Sequence, residues 1–328
     1  MPNSNHRSSA VVRLVVGAVL SVALSIPVNA DPPAALSGEG SIVVPLHVER
    51  GPWGDVHLGI DVTVDDTTSR VLLSTATMGL HILAARVGSA ARRTGQDAAT
   101  VYSNGLSLHG AEAKTTLRIG TAHADDVPIA LVDSYDCSPE RPHCPAANLA
   151  TPEMFGTLFP GILGIGLMAP TPSRCCGNPL PSLAGGVGRS YIVRANFAGP
   201  TLTLNPDAAT VTRFTMVEAL QDWTWGCISI EGAQPNQVCG GVMFDTSSPQ
   251  MHVTTTGVGH PGVFPNHTPV TLRVGDFSHA FDIGPETPRH LIIQRGSQNA
   301  IVVGLAYMQD LDLYYDFATN RIGLAASR

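Results

Sequence analysis

Two segments of this 328-residue chain repeat one another without a gap, and this internal duplication constrains the fold more than any other feature. Residues 71–82 and 242–253 align so that these positions are matched: Ser74 with Asp245, Thr75 with Thr246, Thr77 with Ser248, Leu80 with Met251, His81 with His252 and Ile82 with Val253. A second matched pair follows downstream, at residues 161–166 and 300–305. The duplication predicts two similar lobes that face each other across a cleft, with a boundary near residues 205–207.

Short stretches that alternate apolar and polar residues are typical of strands with one buried face. Such stretches lie at residues 41–48, 58–64, 116–119, 201–204 and 270–274. Helical periodicity is scarce, and the best example predicts a short helix over residues 80–92. The 33 glycines and 25 prolines fit many strands joined by turns. We therefore expect an all-β fold.

The N-terminus has the pattern of a secretory signal peptide. Arg7 and Arg13 precede an apolar run over residues 14–28, and Val28-Asn29-Ala30 forms a small-x-Ala cleavage pattern. The run is short for a membrane span, although an uncleaved anchor is the alternative. The expected organisation is a signal peptide at residues 1–30, a flexible leader at 31–40, an N-terminal lobe at 41–204 and a C-terminal lobe at 205–328. The mature chain is expected to be secreted or associated with the cell envelope, without a membrane span.

The net charge and the cysteine pattern limit which ligands, metals and disulfides we expect. The formal net charge is −7 and Lys114 is the sole lysine, so no basic stripe supports nucleic-acid binding. Six cysteines in an exported chain suggest disulfides, and two pairs are separated by short loops: Cys137 with Cys144, and Cys227 with Cys239. Cys175 and Cys176 could pair with each other, with the first loop or with a partner. No Cys-x-x-Cys pair with a nearby histidine completes a zinc pattern, so we expect no metal and no cofactor.

Residues 242–249 read Val-Met-Phe-Asp-Thr-Ser-Ser-Pro, so that two large apolar residues directly precede an Asp-Thr-x-Ser sequence. This stretch resembles the active-site loop of pepsin-like aspartic peptidases, in which each lobe supplies an apolar-apolar-Asp-Thr-Gly-Ser/Thr loop. Residues 159–166 are similar to the family's Phe-Asp-Gly-Ile-Leu-Gly-Leu segment, with Pro160 in place of its aspartate, and residues 313–325 resemble its closing strand and hairpin. The resemblance covers roughly residues 55–326. It implies a two-lobed pepsin-like acid protease fold with a central cleft.

The resemblance also assigns the site. The retained catalytic position falls on Asp245, whereas Ser74 replaces the first catalytic aspartate. The supporting loop residues are Thr75, Ala76, Thr77, Thr246, Ser247 and Ser248. Tyr102 lies where the family's flap tyrosine begins.

Aspartic peptidases depend on two close carboxylates that share one proton and hold a water between them. Ser74 cannot titrate in the working pH range, and loss of general acid–base assistance costs about 10²–10⁴-fold in rate. Ala76 and Ser247 replace the loop glycines, and we expect their Cβ atoms to strain the loop backbone. These departures together predict a catalytically degenerate site.

We therefore expect a monomeric, exported pepsin-like homologue that binds a peptide, protein or glycan in the cleft between its lobes. The alternative is an active aspartic endopeptidase that uses Asp245 with an unrecognised partner. A cell-envelope structural protein is a third possibility. Two other chemistries are disfavoured: metal binding by His81, His252, His260 and His267, because their spacing is irregular, and nucleophilic attack by Ser74, because no G-x-S-x-G elbow surrounds it.

Overall fold

The computed structural model describes residues 40–51, 54–148, 158–168, 175–233, 235–257, 264–285 and 289–327. All of them belong to one compact unit, Ser37–Arg328. The predicted signal peptide, residues 31–39 of the predicted leader and His260 lie outside the described residues.

The described chain is all-β, as predicted. In chain order its strands are β1 (Ile42–Pro45), β2 (His47–Arg50), β3 (Val56–Val64), β4 (Thr67–Ser74), β5 (Met78–Leu83), β6 (Arg92–Val101), β7 (Leu106–Ile119), β8 (Ala122–Cys137), β9 (Gly161–Ile165), β10 (Ser190–Arg194), β11 (Thr201–Leu204), β12 (Thr215–Glu218), β13 (Thr224–Ile230), β14 (Gln237–Asp245), β15 (Met251–Thr255), β16 (Thr268–Val274), β17 (Phe277–Ile283), β18 (Leu291–Arg295), β19 (Ala300–Gly304), β20 (Leu311–Asp316) and β21 (Arg321–Ala326). The described helices are short: α1 (Ala208–Val211), α2 (Leu305–Met308) and 3₁₀ turns at Ala84–Arg86, Pro145–Asn148, Leu180–Ser182 and Ala184–Gly186.

Three sheets organise these strands. An eight-stranded sheet has the order β2-β3-β4-β9-β5-β8-β7-β6, with an additional β3–β7 pairing. A seven-stranded sheet has the order β17-β16-β13-β14-β19-β15-β18. The third sheet, β1-β11-β10-β20-β21-β12, takes three strands from residues 41–204 and three from residues 205–328. It is joined across the two halves by antiparallel pairing of β10 with β20, where Tyr191 lies opposite Tyr315.

The duplication seen in the sequence extends to strand pairing. β4 pairs parallel with β9, β9 pairs antiparallel with β5, and β5 pairs parallel with β8. β14, β19, β15 and β18 repeat this pattern: β14 is parallel to β19, β19 is antiparallel to β15, and β15 is parallel to β18. The matched segments at 161–166 and 300–305 therefore contain equivalent strands, β9 and β19.

The helix predicted over residues 80–92 is wrong. These residues form most of β5, a 3₁₀ turn at Ala84–Arg86 and the start of β6. β5 lies between β9 and β8, and all of its residues after Met78 are buried. A strand buried on both faces lacks the polar–apolar alternation that distinguishes strand from helix in a sequence.

The described cysteines form three disulfides. Cys137 pairs with Cys144 and Cys227 pairs with Cys239, as predicted, while Cys175 pairs with its neighbour Cys176. Among the residues that the structure describes, none of the helices has the length and apolar composition required to cross a membrane.

Candidate functional site

Ser74 and Asp245 end two equivalent strands and lie next to each other. Ser74 is the last residue of β4 and pairs with Gly164 of β9, while Asp245 is the last residue of β14 and pairs with Gly304 of β19. The Ser74 hydroxyl lies 3.4 Å from Asp245 Oδ1, in position to donate to it. The structure therefore brings together the two residues that the family resemblance assigns to the catalytic positions.

The two glycines let the chain cross close beneath each loop. A Cβ at Gly164 would lie 2.5 Å from the backbone nitrogen of Met78, and a Cβ at Gly304 would lie 2.0 Å from the carbonyl oxygen of Gln250. Real Cβ atoms do not approach backbone this closely, so both positions require glycine. The same steric requirement thus operates under both loops.

Thr75 and Thr246 connect the loops by reciprocal hydrogen bonds. The Thr75 hydroxyl donates to the Phe244 carbonyl at 2.6 Å, and the Thr246 hydroxyl donates to the Leu73 carbonyl at 2.7 Å. Each hydroxyl also accepts from the other threonine's backbone N–H, at 3.1 Å and 3.2 Å. Both threonines are buried. This connection fixes the separation between Ser74 and Asp245.

Hydroxyls and backbone N–H groups surround the Asp245 carboxyl. Oδ1 accepts from the Ser247 backbone N–H at 2.9 Å and from the Ser247 hydroxyl at 2.6 Å. Because Ser247 donates its proton to Asp245, its oxygen is an acceptor, and the single Ser74 proton can go either to it, at 3.2 Å, or to Asp245 Oδ1. Burial raises the pKa of Asp245, and the hydrogen bonds from Ser247 and Ser74 oppose that rise. The site is a single carboxyl stabilised by two serine hydroxyls.

The expected strain at Ala76 and Ser247 is wrong. Neither residue has a positive φ. The Ala76 N–H still reaches Ser74 Oγ at 3.3 Å, and the Ser247 N–H still reaches Asp245 Oδ1. Glycine is not needed for these two hydrogen bonds, because the backbone φ at positions 76 and 247 is one that a residue with a Cβ can adopt.

Thr77 and Ser248 attach the loops to their surroundings, and a hydrogen bond from the Ser248 backbone N–H also lowers the pKa of Asp245. The Thr77 carbonyl accepts from the Gly166 N–H at 2.9 Å. The Ser248 hydroxyl donates to the Gln250 carbonyl at 3.1 Å, and the Ser248 carbonyl accepts from the Leu305 N–H at 2.7 Å. Both residues therefore attach their loop to the strand or helix that follows it.

Tyr102 lies in the turn between β6 and β7. Its backbone N–H donates to the Leu106 carbonyl at 2.8 Å, and its ring lies 6.1 Å from the ring of His81. It packs beside a buried apolar cluster made of Leu72, Leu83, Leu106, Leu108, Val132, Phe159 and Ile162. This cluster includes the β4 residue two positions before Ser74, so the hairpin packs on the strand that carries the site.

Metal-ligand side chains are poorly arranged for an ion. Within the described ranges, one group of three such side chains comes together: Glu112, Cys175 and Cys176. Both sulfurs are in a disulfide, whereas a metal ligand must be a thiolate. Burial lowers the pKa of His81 to about 4, and it also lowers the pKa of His252. The two histidines that the duplication relates are therefore largely neutral residues of the strands.

Asp222 is a buried carboxyl that is not among the site residues predicted from the sequence. It lies in the turn between β12 and β13 and is 3% exposed. Burial raises its pKa to about 6, backbone N–H groups of Leu167 and Met168 oppose the rise, and the charge of Asp245 adds to it. No sequence pattern marks Asp222, because its partners lie 54 and 55 residues away along the chain.

No protein-family model matches this chain, and no curated protein matches its sequence. The resemblance to pepsin-like peptidases therefore depends on the motifs and contacts described above.

Proposed function

We propose that this protein is an exported, two-lobed pepsin-like aspartic peptidase homologue that has lost peptidase chemistry and binds a peptide segment at the Ser74–Asp245 site. One observation carries the proposal. Ser74 and Asp245 occupy duplicated positions at adjacent loop ends, and a complete threonine connection holds them together. The scaffold for two carboxyls is intact, but one carboxyl is replaced by a hydroxyl.

The chemistry at Ser74 argues against turnover. Peptide hydrolysis by this class of site requires one carboxyl to remain protonated and the other to act as base on a water. The hydroxyl of Ser74 is buried against Asp245 and Ser247 and cannot act as the base that accepts the proton. Ser247 donates to the same Oδ1 of Asp245 that Ser74 faces, so the remaining carboxyl is already hydrogen-bonded within the loops.

Export is the part of the proposal that draws on the N-terminal sequence and the cysteines. Three disulfides suit an oxidising compartment, and residues 1–30 have the composition of a signal peptide. A protein or glycan ligand would use the same site. A peptide is the ligand that we favour, because the resemblance to pepsin-like peptidases implies a cleft that accepts one.

The alternative function is an active endopeptidase in which Asp245 uses another acid. Asp222 is the candidate, because its charge interacts with that of Asp245. Its Oδ1, however, already accepts from the Leu167 and Met168 N–H groups. A carboxyl held in this way is less able to exchange protons with a substrate, so we favour the binding function.

The test is a mixed peptide library incubated with the protein across acidic pH, with retained and cleaved peptides identified by mass spectrometry. We expect a subset of peptides to be retained and none to be cut. A statine-type mimic should displace the retained peptides, which would locate them at the Ser74–Asp245 site. If no peptide is retained, the binding proposal fails. Cleavage that disappears in both Asp245→Asn and Asp222→Asn would instead establish the alternative.

A further inference from the structure

Asp222 links the second half of the chain to the first through one carboxyl oxygen. It lies in a tight turn closed by hydrogen bonds between Leu220 and Trp223, and from there Oδ1 accepts from the backbone N–H of Leu167 and, at 3.3 Å, from that of Met168. Gly166 leaves room for the contact, because a Cβ there would lie 2.7 Å from each carboxyl oxygen. The side chain therefore fits closely against the segment 166–168.

The other oxygen of this carboxyl is not satisfied. Oδ2 is buried and has no hydrogen-bond partner among the described residues. An ionised carboxylate needs several donors when it is removed from water, and a buried charge without them is costly. A neutral carboxyl in the same place costs much less. The two backbone donors on Oδ1 reduce this difference but do not cancel it, since the pKa of Asp222 is about 6 against an ordinary value of 3.8.

Among the residues that the structure describes, the charged and titratable groups whose charges act on Asp222 offer no counter-charge. Asp245 of β14 contributes a charge of the same sign. Tyr191 of β10 and Tyr315 of β20 stack at 5.0 Å between ring centroids, and both have a raised pKa, so they are neutral in the range where Asp222 titrates. Ionisation of Asp222 thus places an uncompensated negative charge in the fold.

The segment that Asp222 holds is also held from its other end. Asn178 donates to the carbonyls of Ile165 and Gly166 at 2.7 Å and 3.1 Å, and the Gly166 N–H donates to the Thr77 carbonyl at 2.9 Å. Leu167 and Met168 follow directly. Loss of the Asp222 contact would therefore free the backbone N–H groups of residues 167–168, while residues 165–166 stay in place and the Leu167 side chain stays buried in the hydrophobic core.

We propose that Asp222 is a protonation-controlled latch, which holds the backbone N–H groups of Leu167 and Met168 against the 220–223 turn while its carboxyl is neutral and loosens this contact when it ionises. The direction follows from linkage. A carboxyl whose folded-state pKa is raised stabilises the closed contact fully below the ordinary pKa of 3.8, and this contribution is lost as the pH rises through about 6. The equilibrium between the closed and the open contact therefore shifts towards the open one as the pH rises from acid to neutral.

Hydrogen–deuterium exchange of the intact protein tests the latch. Exchange at the Leu167 and Met168 amides should be compared at about pH 4.5 and about pH 7.5, with exchange times scaled for the intrinsic pH dependence. We expect their protection to fall by about 10- to 100-fold at the higher pH, which is the span that two pKa units allow. The Gly166 amide is the internal control, because its acceptor is Thr77, and its protection should not change.

Two variants make the result specific. Asp222→Asn keeps the acceptor oxygen but cannot ionise, so its Leu167 and Met168 amides should remain protected at both pH values. Gly166→Ala should push the carboxyl away and leave these amides weakly protected at both. The matched control is Asp207→Asn, an exposed aspartate that caps α1 and has a lowered pKa. It should behave as the wild type at residues 167–168.

Two outcomes would overturn the proposal. In one, the wild-type protection at Leu167 and Met168 does not change between the two pH values. In the other, Asp222→Asn shows the same loss of protection as the wild type. The wild-type measurement alone decides the first, so the test does not depend on how well the variants fold.

Discussion

Thr75 and Thr246 bind each other's loops in the same way: each hydroxyl donates to the carbonyl two residues before the other threonine. The donors and acceptors are buried, and they belong to loops separated by 171 positions in the chain. The symmetry of this contact is the physical basis for treating residues 74–77 and 245–248 as two copies of one loop.

We predict that Thr75→Val destabilises the protein by about 2–4 kcal/mol, because a nearly isosteric change leaves a buried carbonyl and a buried N–H unsatisfied. Thr246→Val should behave alike, because its hydroxyl bonds a separate buried carbonyl and a separate buried N–H, and the double variant should cost more than either single change. Denaturant unfolding measures all three. Thr63→Val removes the exposed hydrogen bond to Thr68 and is the control, expected within about 0.5 kcal/mol of wild type. Losses at Thr75 and Thr246 no larger than that of Thr63→Val would contradict the reciprocal connection.

We predict that His81 makes the fold sensitive to acid. Its folded-state pKa is lowered from 6.5 to about 4 by burial, so the neutral form is favoured in the fold. The stabilisation it gives is complete above pH 6.5 and is lost as the pH falls towards 4, by about 3 kcal/mol in total. Unfolding free energies measured across this range should show the loss in wild type and a smaller slope in His81→Gln. Equal slopes would mean that His81 is not the responsible group.

We predict that peptide mapping without reductant recovers Cys137 linked to Cys144 and Cys227 linked to Cys239. Replacing both Cys227 and Cys239 by alanine should lower the unfolding free energy by about 3 kcal/mol, the usual effect of opening a loop of this size. The matched comparison is the Cys137 and Cys144 double variant, whose shorter loop should cost less. Free thiols at these four positions in the exported protein would contradict both the pairing and the export proposal.

The pairing of Ser74 with Asp245 could be predicted from the sequence, whereas several structural features around this pair could not. Ser74 and Asp245 could be paired because the duplicated segments align residue by residue, and the two matched segments downstream are the equivalent strands β9 and β19. β5 was mistaken for a helix because burial on both faces removes its alternation. Strain at Ala76 was expected from residue type alone, whereas φ depends on the whole loop. The contacts of Asp222 could not be predicted from the sequence, because its partners Leu167 and Met168 lie 55 and 54 positions away along the chain.

We predict that Ser74→Asp restores electrostatic coupling at the site. Two carboxyls this close repel by about 4 kcal/mol at an effective dielectric constant of about 20, so one of them should titrate well above its ordinary pKa. Measured relative to wild type, the unfolding free energy of this variant should therefore fall as the pH rises from about 4 towards neutrality. Ser74→Asn, which matches the size without the charge, should lack this fall. A variant whose pH dependence equals that of Ser74→Asn would show that the two positions are not coupled.

We propose that the serine at position 74 has removed peptidase chemistry from a site whose loops are otherwise intact. The most direct test is the rate of peptide cleavage between about pH 3 and pH 6. Four proteins are compared: wild type, Ser74→Asp, Asp245→Asn, and the double variant with both changes. We expect wild type and Asp245→Asn to be equally inactive, Ser74→Asp to gain cleavage in acid, and the double variant to lose it again. Cleavage by the wild type at a rate equal to that of Ser74→Asp, abolished by Asp245→Asn, would show that Ser74 has not removed the chemistry.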